Sequence, residues 1–192
     1  MAIEPWKTIH QSERESYRIF SVRRETAVSQ TSGVSHEFIV IEAPTWVNVI
    51  PITPEDDVVF VRQHRQGTRS VTLEIPGGMA HRGETPEEAG ARELLEETGF
   101  RGDRVVSIGS VYPNPAIQNN ICHTVLVEGA RRVADPTPDP SEELETQLIP
   151  LADIPRRIRD GEITHALVVA AFHHLAILRP PNAAAATETG RA

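Results

Sequence analysis

The alternation of hydrophobic and polar positions predicts a chain in which strands outnumber helices. Short runs rich in β-branched residues recur along the sequence and are separated by turn residues. They predict strands over Tyr17–Glu25, Glu37–Ile41, Trp46–Pro51, Val58–Gln63, Val71–Ile75, Val105–Tyr112, Asn120–Glu128 and Glu145–Pro150. The fold class expected from this pattern is a mixed α/β (α+β) domain.

Helical signals are strongest in the middle of the chain. Thr85 is a good N-cap residue, and Glu88 completes a capping box with it. Pro86 is tolerated in a first helical turn, and Gly99 is a good C-terminal stop, so a helix is expected over Pro86–Thr98. Two further amphipathic helices are predicted over Leu151–Asp160 and Thr164–Leu178.

Three segments lack the pattern of any regular element. Pro76-Gly77-Gly78 is expected to be a break that no strand crosses, and Arg131–Pro140, with its three prolines, is expected to be an exposed loop. From residue 180 the composition changes to Ala, Thr and Pro, which indicates a disordered tail. The organisation predicted is an N-terminal strand region over 1–44, with a possible role as a dimerisation arm, a main folded domain over 45–179 and a tail over 180–192.

Composition restricts the cellular setting. The 192 residues contain no run of 18 apolar residues, so no membrane span is expected, and the N-terminus lacks the apolar stretch of a signal peptide. The single cysteine, Cys122, excludes an internal disulfide and suits a reducing compartment. A cytoplasmic location is therefore expected.

The acidic balance of the chain restricts its partners. A formal net charge of -8 argues against a protein that wraps a nucleic acid polymer, because such proteins cluster Lys and Arg against phosphates. The same charge would repel a small phosphate-bearing substrate unless bound cations reverse the local field. Some of the carboxylates would have a clear purpose if they held such cations.

A cluster of glutamates on the predicted central helix has the chemistry of a cation site. Glu93, Glu96 and Glu97 are three or four residues apart, so their side chains project toward one side of the helix. Arg92 offsets only part of their repulsion, and hard divalent cations prefer oxygen ligands of this kind. The alternative is an ordinary solvated helix face, which would require no fixed spacing to residues upstream.

The spacing to upstream residues is that of a known family. Residues 78–100 resemble the Nudix box, G-x5-E-x7-R-E-U-x-E-E-x-G-U with U hydrophobic, at every fixed position from Gly78 to Phe100. Chance would supply such a match at about 10⁻⁸ per site from average residue usage. The resemblance implies a Nudix fold, a mixed β-sheet between helices, preceded here by an N-terminal β extension. It also implies water attack on a phosphorus of a P–O–P bridge.

The resemblance assigns roles by position. Glu93, Glu96 and Glu97 match the metal-binding glutamates, and Arg92 matches the arginine that orients the first of them. Glu84 matches a supporting glutamate, and the carbonyl of Gly77 matches a backbone metal ligand. The implied cofactor is Mg²⁺, with Mn²⁺ as an alternative.

The flanking sequence resembles the subgroup of ADP-ribose pyrophosphatases and nucleoside diphosphate sugar hydrolases. Val61–Arg65 follows its V-x-Q-Y-R pattern with His64 in place of Tyr, and Glu74–Gly77 follows its E-U-P-A-G step with Gly77 in place of Ala. Pro115 lies 15 residues after Phe100, the position at which a proline marks the ADP-ribose subgroup. The loop Tyr112–Asn120 departs from the subgroup because it lacks an S-P-G signature.

Four residues are predicted to bind substrate, and one late glutamate to act in catalysis. Arg65 could bridge two phosphate oxygens, or be an ordinary surface arginine. Trp46 could stack on a base, or serve packing, and Pro115 could mark the subgroup, or simply form a turn. Glu74 begins the Glu74–Gly77 segment, which resembles the subgroup's E-U-P-A-G pattern and directly precedes the Nudix box. In the acidic run 141–145, Glu143 is favoured as a further catalytic glutamate with Glu142 next, against a solvated charge cluster.

The function expected is Mg²⁺-dependent hydrolysis of ADP-ribose or a related nucleoside diphosphate sugar, giving a nucleoside monophosphate and a sugar phosphate. The alternatives are a Nudix hydrolase of another derivative, such as NADH or a dinucleoside polyphosphate, and a non-catalytic nucleotide-sensing module. The intact Arg92-Glu93 and Glu96-Glu97 pairs argue against the sensor, which would not need the full ligand set. The expected partners are a small nucleotide substrate and a second copy of the chain in a homodimer.

Overall fold

The computed structural model describes residues 2–179, which form two compact units. The first unit runs to Thr45 and also includes Tyr112–Ile121, and the second contains Trp46–Val111 and the chain from Cys122 onwards. The strands are β1 Lys7–Gln11, β2 Glu15–Ser16, β3 Ser21–Val28, β4 Ser35–Glu42, β5 Trp46–Ile52, β6 Asp57–Arg65, β7 Ser70–Glu74, β8 Gly77–Met79, β9 Phe100–Arg101, β10 Arg104–Val111, β11 Cys122–Glu128, β12 Arg131–Arg132 and β13 Leu144–Pro150. The helices are α1 Pro86–Thr98, α2 Ile154–Arg159 and α3 Ala166–Leu178, with a 3₁₀ turn over Leu151–Asp153.

The first unit is a four-stranded antiparallel sheet in which β3 pairs with β1, β2 and β4. Its β3 and β4 correspond to the two strands predicted there, but β3 begins at Ser21 rather than Tyr17. Strand β1 was not predicted, because all of its residues are exposed and it carries no hydrophobic alternation. The side chains of Arg23, Glu25 and Glu42 form ion pairs across β3 and β4.

The second unit is built on a seven-stranded mixed sheet of order β10-β11-β5-β6-β13, with β7 added to β6 and β8 added to β5. Only the β11–β5 pair is parallel. Successive side chains of a strand point to opposite faces, so β5 supplies both sides of the sheet. Ile50 and Ile52 pack with Phe172 and Leu175 of α3, whereas Val49 packs with Leu94 of α1. The predicted mixed sheet between helices is confirmed.

Helix α1 has the bounds predicted from the sequence. The hydroxyl of Thr85 accepts a hydrogen bond from the Glu88 amide, and the Glu88 carboxylate accepts one from the Thr85 amide. Gly99 ends the helix with a left-handed φ of 73°. The sequence predicted this element well because both of its ends are determined by neighbouring residues.

Other segments differ from the prediction where distant residues decide the structure. No element crosses the expected break at Pro76–Gly78, since β7 ends at Glu74, but Gly77 and Gly78 are not irregular: they begin β8 and pair with Asn48 and Val47. The predicted loop over 131–140 begins with the short strand β12, which pairs with β9. The predicted helix over 151–160 is divided into a 3₁₀ turn and α2. The predicted disordered tail lies outside the described residues.

Among residues 2–179, no helix combines the length and the apolar character needed to cross a bilayer.

Candidate active site

Arg92 on α1 organises the glutamates of the central motif. Its Nε and one terminal nitrogen donate to the two carboxylate oxygens of Glu84, at 2.8 and 3.0 Å. The other terminal nitrogen donates to Glu93 at 2.9 Å and to Glu96 at 3.1 Å. Arg92 also donates to the carbonyl of Met79 at 3.0 Å, which attaches β8 to the helix. One guanidinium therefore holds three carboxylates and the strand beside them.

The glycine pair of β8 lets the strand lie close to the glutamates. The amide of Gly77 donates to Oε2 of Glu97 at 3.1 Å. A side chain at Gly77 would overlap the carbonyl oxygen of Val47, and a Cβ on Gly78 would come within 2.6 Å of Oε1 of Glu93. The overlap at Gly77 is with backbone, so glycine is required there, whereas a side chain at Gly78 would displace the Glu93 carboxylate.

Burial gives the glutamates of this cluster different proton affinities. Glu97 is only 4% exposed, and its burial raises its pKa to about 8, with the charges of Glu93 and Glu142 adding to the effect. Burial also raises the pKa of Glu93, although Arg92 opposes the shift. In contrast, the hydrogen bonds from Arg92 lower the pKa of Glu84 to about 2. Glu97 is therefore the carboxylate that would gain most from a neighbouring positive charge.

Arg65 and Glu74 form a bidentate ion pair on neighbouring strands. Nε and a terminal nitrogen of Arg65 donate to the two oxygens of Glu74 at 2.9 and 2.8 Å. The hydroxyl of Thr72 donates to the same carboxylate at 2.6 Å. Burial alone would raise the pKa of Glu74, but the hydrogen bonds from Arg65 and Thr72 outweigh it and the pKa is lowered. The pair fixes the guanidinium plane, while the Arg65 side chain remains 44% exposed.

In the late acidic run, Glu142 rather than Glu143 lies near the cluster. Glu142 is half-buried, and its charge contributes to raising the pKa of Glu93, Glu97 and Arg65. Glu143 is exposed, and no contact within residues 2–179 joins it to the motif glutamates. The two neighbours precede β13, which begins at Leu144, and they differ in their exposure.

The other two predicted binding residues lie in different units. Trp46 is half-buried at the start of β5, where it pairs with Met79 of β8 and Cys122 of β11. It therefore lies one strand away from the glycine pair. Pro115 belongs to the first unit, in an exposed turn whose amides at Ile117 and Gln118 donate to the carbonyl of Asn114.

The donor set fits a hard divalent cation by its chemistry. Glu97 is a buried carboxylate on which the charges of Glu93 and Glu142 act, and carboxylate oxygens are the ligands that such a cation prefers. Within residues 2–179, however, no three acidic, His or Cys side chains have the mutual spacing of a finished metal site. Arg92 holds Glu93 and Glu96 in ion pairs instead. A bound cation would need these two side chains to turn away from the arginine.

Four contributors to this region carry no sequence signal of their own. Met79 acts through its carbonyl, and Thr72 is one of many threonines in strands. The Nδ2 atom of Asn48 is buried with no hydrogen-bond partner in the described part of the chain, and Asn48 pairs with Gly77. His165 caps α3 and lies 3.9 Å from Glu74. Their positions depend on strand register, which the sequence alone does not state.

Comparison with known proteins identifies the class. Residues 43–172 match the NUDIX domain family, which is more than half of the chain, so the chain belongs to this family. The expected Nudix hydrolase is confirmed. The crystal structure of an ADP compounds hydrolase has the same fold, with a TM-score of 0.82 over 93% of this chain and 96% of that chain, at 22% identity.

Two relatives with named activities are similar to this chain. An ADP-ribose pyrophosphatase of Bacillus subtilis is 27% identical over 170 residues, which are 88% of this chain and 91% of that protein. An ADP-sugar pyrophosphatase of Mus musculus is 34% identical over 121 residues, which are 58% of this chain and 56% of that protein. Both names agree with the subgroup expected from the residues around Arg65 and Glu74.

Proposed function

We propose that this protein hydrolyses the diphosphate linkage of ADP-ribose or a closely related nucleoside diphosphate sugar in the presence of Mg²⁺. The observation that carries the proposal is the glutamate cluster organised by Arg92, together with the clamped Arg65 in the same unit. The similarity to an ADP-ribose pyrophosphatase over 88% of the chain supports the same substrate class. With ADP-ribose the products are AMP and ribose 5-phosphate.

The cation would be held by Glu93, Glu96, Glu97 and the carbonyl of Gly77. Mg²⁺ at these oxygens, or Mn²⁺ in its place, would supply Lewis-acid stabilisation of phosphate charge and lower the pKa of a bound water. Arg92 would release Glu93 and Glu96 to the cation and keep its bidentate bond to Glu84. The bond from Arg92 to the Met79 carbonyl would still join the helix to β8.

Arg65 is the residue we assign to the diphosphate. Glu74 already uses Nε and one terminal nitrogen, so the second terminal nitrogen remains for a phosphate oxygen. Because the pair is bidentate, the guanidinium is held in one plane before the substrate arrives. Glu74 therefore acts by orienting Arg65. Trp46, one strand from the glycine pair, and Pro115 keep their predicted substrate roles as proposals.

We assign to Glu142 the late catalytic role that the sequence placed first on Glu143. Glu142 is the residue of the acidic run whose charge acts on Glu93, Glu97 and Arg65. A carboxylate at this place would accept a proton from the attacking water. The water oxygen would bond to one phosphorus while the bridging oxygen leaves with the other phosphate.

Two properties of the whole protein also remain proposals. We propose a homodimer, because the first unit is a small sheet with Trp6, Ile9 and Ile39 exposed. The proposed cytoplasmic location rests on the single cysteine, Cys122, which is free and buried. Light scattering would test the dimer, and cell fractionation would test the location.

A substrate panel tests the proposed function directly. kcat/KM would be compared for ADP-ribose, GDP-mannose, NADH, a nucleoside triphosphate and a dinucleoside tetraphosphate at one Mg²⁺ concentration, with products identified by chromatography. ADP-ribose or another nucleoside diphosphate sugar should be preferred. A triphosphate preferred tenfold, about 1.4 kcal/mol of transition-state discrimination, would contradict the substrate class. Tight binding of nucleotides with no turnover would instead indicate the sensor.

A further inference from the structure

The segment that precedes Glu142 is attached to the C-terminus of α1. The amides of Val133 and Ala134 donate to the carbonyl of Gly99 at 2.9 and 3.2 Å. The amide of Thr137 donates to the carbonyl of Glu96 at 2.7 Å. The last carbonyls of a helix have no partner inside the helix, so the segment occupies bonding positions that α1 leaves open.

The absence of a side chain at Gly99 makes this attachment possible. A Cβ on Gly99 would overlap the carbonyl oxygen of Ala134 and lie 2.9 Å from its carbonyl carbon. These are backbone atoms, so no side-chain rotation relieves the overlap. Gly161 has nearly the same backbone conformation, with φ 76° against 73°, but a Cβ there meets nothing within 4 Å. Both glycines therefore have a positive φ, but only Gly99 lies against the backbone of another segment.

The other end of the segment is held by the sheet. Strand β13 begins at Leu144, which pairs with Gln63 of β6. Glu142 lies two residues before this first pair, and its charge acts on Arg65, which lies two residues after Gln63 on β6. A turn supports this position, because the Glu142 amide donates to the carbonyl of Asp139 at 2.8 Å. Glu142 thus lies between two anchors, one on α1 and one on β6.

We propose that Gly99 is a positioning residue for Glu142. By admitting the 133–137 backbone onto the end of α1, it fixes Glu142 relative to Glu93 and Glu97, which the same helix carries. The inference rests on the proposed function, because it takes Glu142 as the group that acts on the attacking water. It adds that the closing glycine of the motif acts on catalysis at a distance, beyond ending the helix.

A double-mutant cycle separates this role from simple helix termination. The variants are Gly99→Ala, Glu142→Gln and the double variant, with Gly161→Ala as the matched control for placing alanine at a positive φ. Gly99→Ala should lower kcat at least about tenfold with KM changed less than about threefold, since a displaced base affects the chemical step. Gly161→Ala should keep the wild-type kcat. In the Glu142→Gln background, Gly99→Ala should lower kcat no further.

Two further measurements distinguish general damage to the fold from a displacement of Glu142. Amide hydrogen exchange in peptides covering 133–143 should rise in Gly99→Ala and stay unchanged in Gly161→Ala. Thr137→Pro, which removes the donor to Glu96 without altering Gly99, should reproduce the loss of kcat. If Gly99→Ala does not fold, Thr137→Pro takes its place in the cycle.

Three results would overturn the proposal. One is a wild-type kcat in Gly99→Ala, and another is an equal loss of kcat from Gly99→Ala with and without Glu142. The third is a wild-type kcat in Glu142→Gln. A wild-type protein that hydrolyses none of the panel would contradict the proposed function instead. In that case, amide hydrogen exchange of residues 133–143 in Gly99→Ala still tests whether Gly99 holds the segment. Exchange equal to that of the wild type would reject this positioning role.

Discussion

At the scale of single residues, the region depends on two arginines with different environments. Arg92 is surrounded by Glu84, Glu93 and Glu96, and its guanidinium offsets a local excess of negative charge. Arg65 has one carboxylate partner, Glu74, and keeps part of its side chain exposed. The first arginine suits a site that gathers carboxylates, and the second suits one that receives an anion.

The Arg65–Glu74 pair predicts a pH-dependent contribution to stability. The pKa of Glu74 is lowered from 4.5 in the folded protein, so the pair stabilises fully above that value and less as the pH falls through the folded pKa. At pH 7, Glu74→Gln should lower the free energy of unfolding by about 1.5–3 kcal/mol, the range for hydrogen bonds to charged groups. Urea unfolding at pH 7 and at about pH 3 should show this difference shrinking in acid.

Glu145→Gln provides the control for that measurement. The Glu145 side chain is 74% exposed and lies 3.9 Å from Arg62, so its loss should change stability little at either pH. A difference between wild type and Glu74→Gln that stays constant with pH would show that the ion pair does not carry the effect.

At the scale of elements, helix α1 joins local stability to chemistry. Its first turn is closed by the Thr85–Glu88 capping box, its middle carries Arg92 and Glu93, and its end receives the 133–137 segment. Local residues therefore determine where the helix starts. The glycines on either side of the helix determine what can approach it.

The capping box should contribute to stability without taking part in catalysis. Thr85→Ala removes the hydroxyl that accepts a hydrogen bond from the Glu88 amide. It should lower the free energy of unfolding by about 1 kcal/mol. Thr85→Ser keeps a hydroxyl and should retain most of the wild-type stability. Thermal unfolding and kcat would be measured for both variants. A large fall in kcat for Thr85→Ala at a temperature where it is folded would show that the cap also positions the glutamates.

At the scale of the whole molecule, a formal net charge of -8 leads us to expect that bound cations would stabilise the folded protein. Ions that bind only the folded state stabilise it by mass action, by about 2.7 kcal/mol at a concentration of 100 Kd. Mg²⁺ or Mn²⁺ added to chelator-stripped protein should therefore raise the melting temperature. Glu97→Gln, which keeps the volume and removes the charge, should reduce this rise and abolish most turnover.

The control for the metal experiment is a monovalent salt at matched ionic strength. Glu55→Gln, an exposed glutamate in the turn between β5 and β6, should retain the full rise and the wild-type rate. A melting temperature that does not respond to millimolar Mg²⁺, or Glu96→Gln and Glu97→Gln variants that both retain wild-type turnover, would contradict the metal assignment.

The sequence alone determined the parts of the protein that depend on neighbouring residues. Helix α1 has its predicted bounds because Thr85, Glu88 and Gly99 act within one turn of its ends. The motif spacing identified the family because it fixes which glutamates share a helix face. Most predicted strands are present because short runs of β-branched and apolar residues are typical of buried strands, as in β5 and β6.

Only the tertiary structure decided which distant residues meet. Gly77 and Gly78 form a strand because β5 offers them partners, and a glycine pair read locally indicates a break. Glu142 and Glu143 are equivalent in the sequence, but the folded chain brings the charge of Glu142 to act on Glu93 and Glu97. Strand register and backbone contacts such as Gly99 with Ala134 join residues far apart in the chain, so no local pattern encodes them.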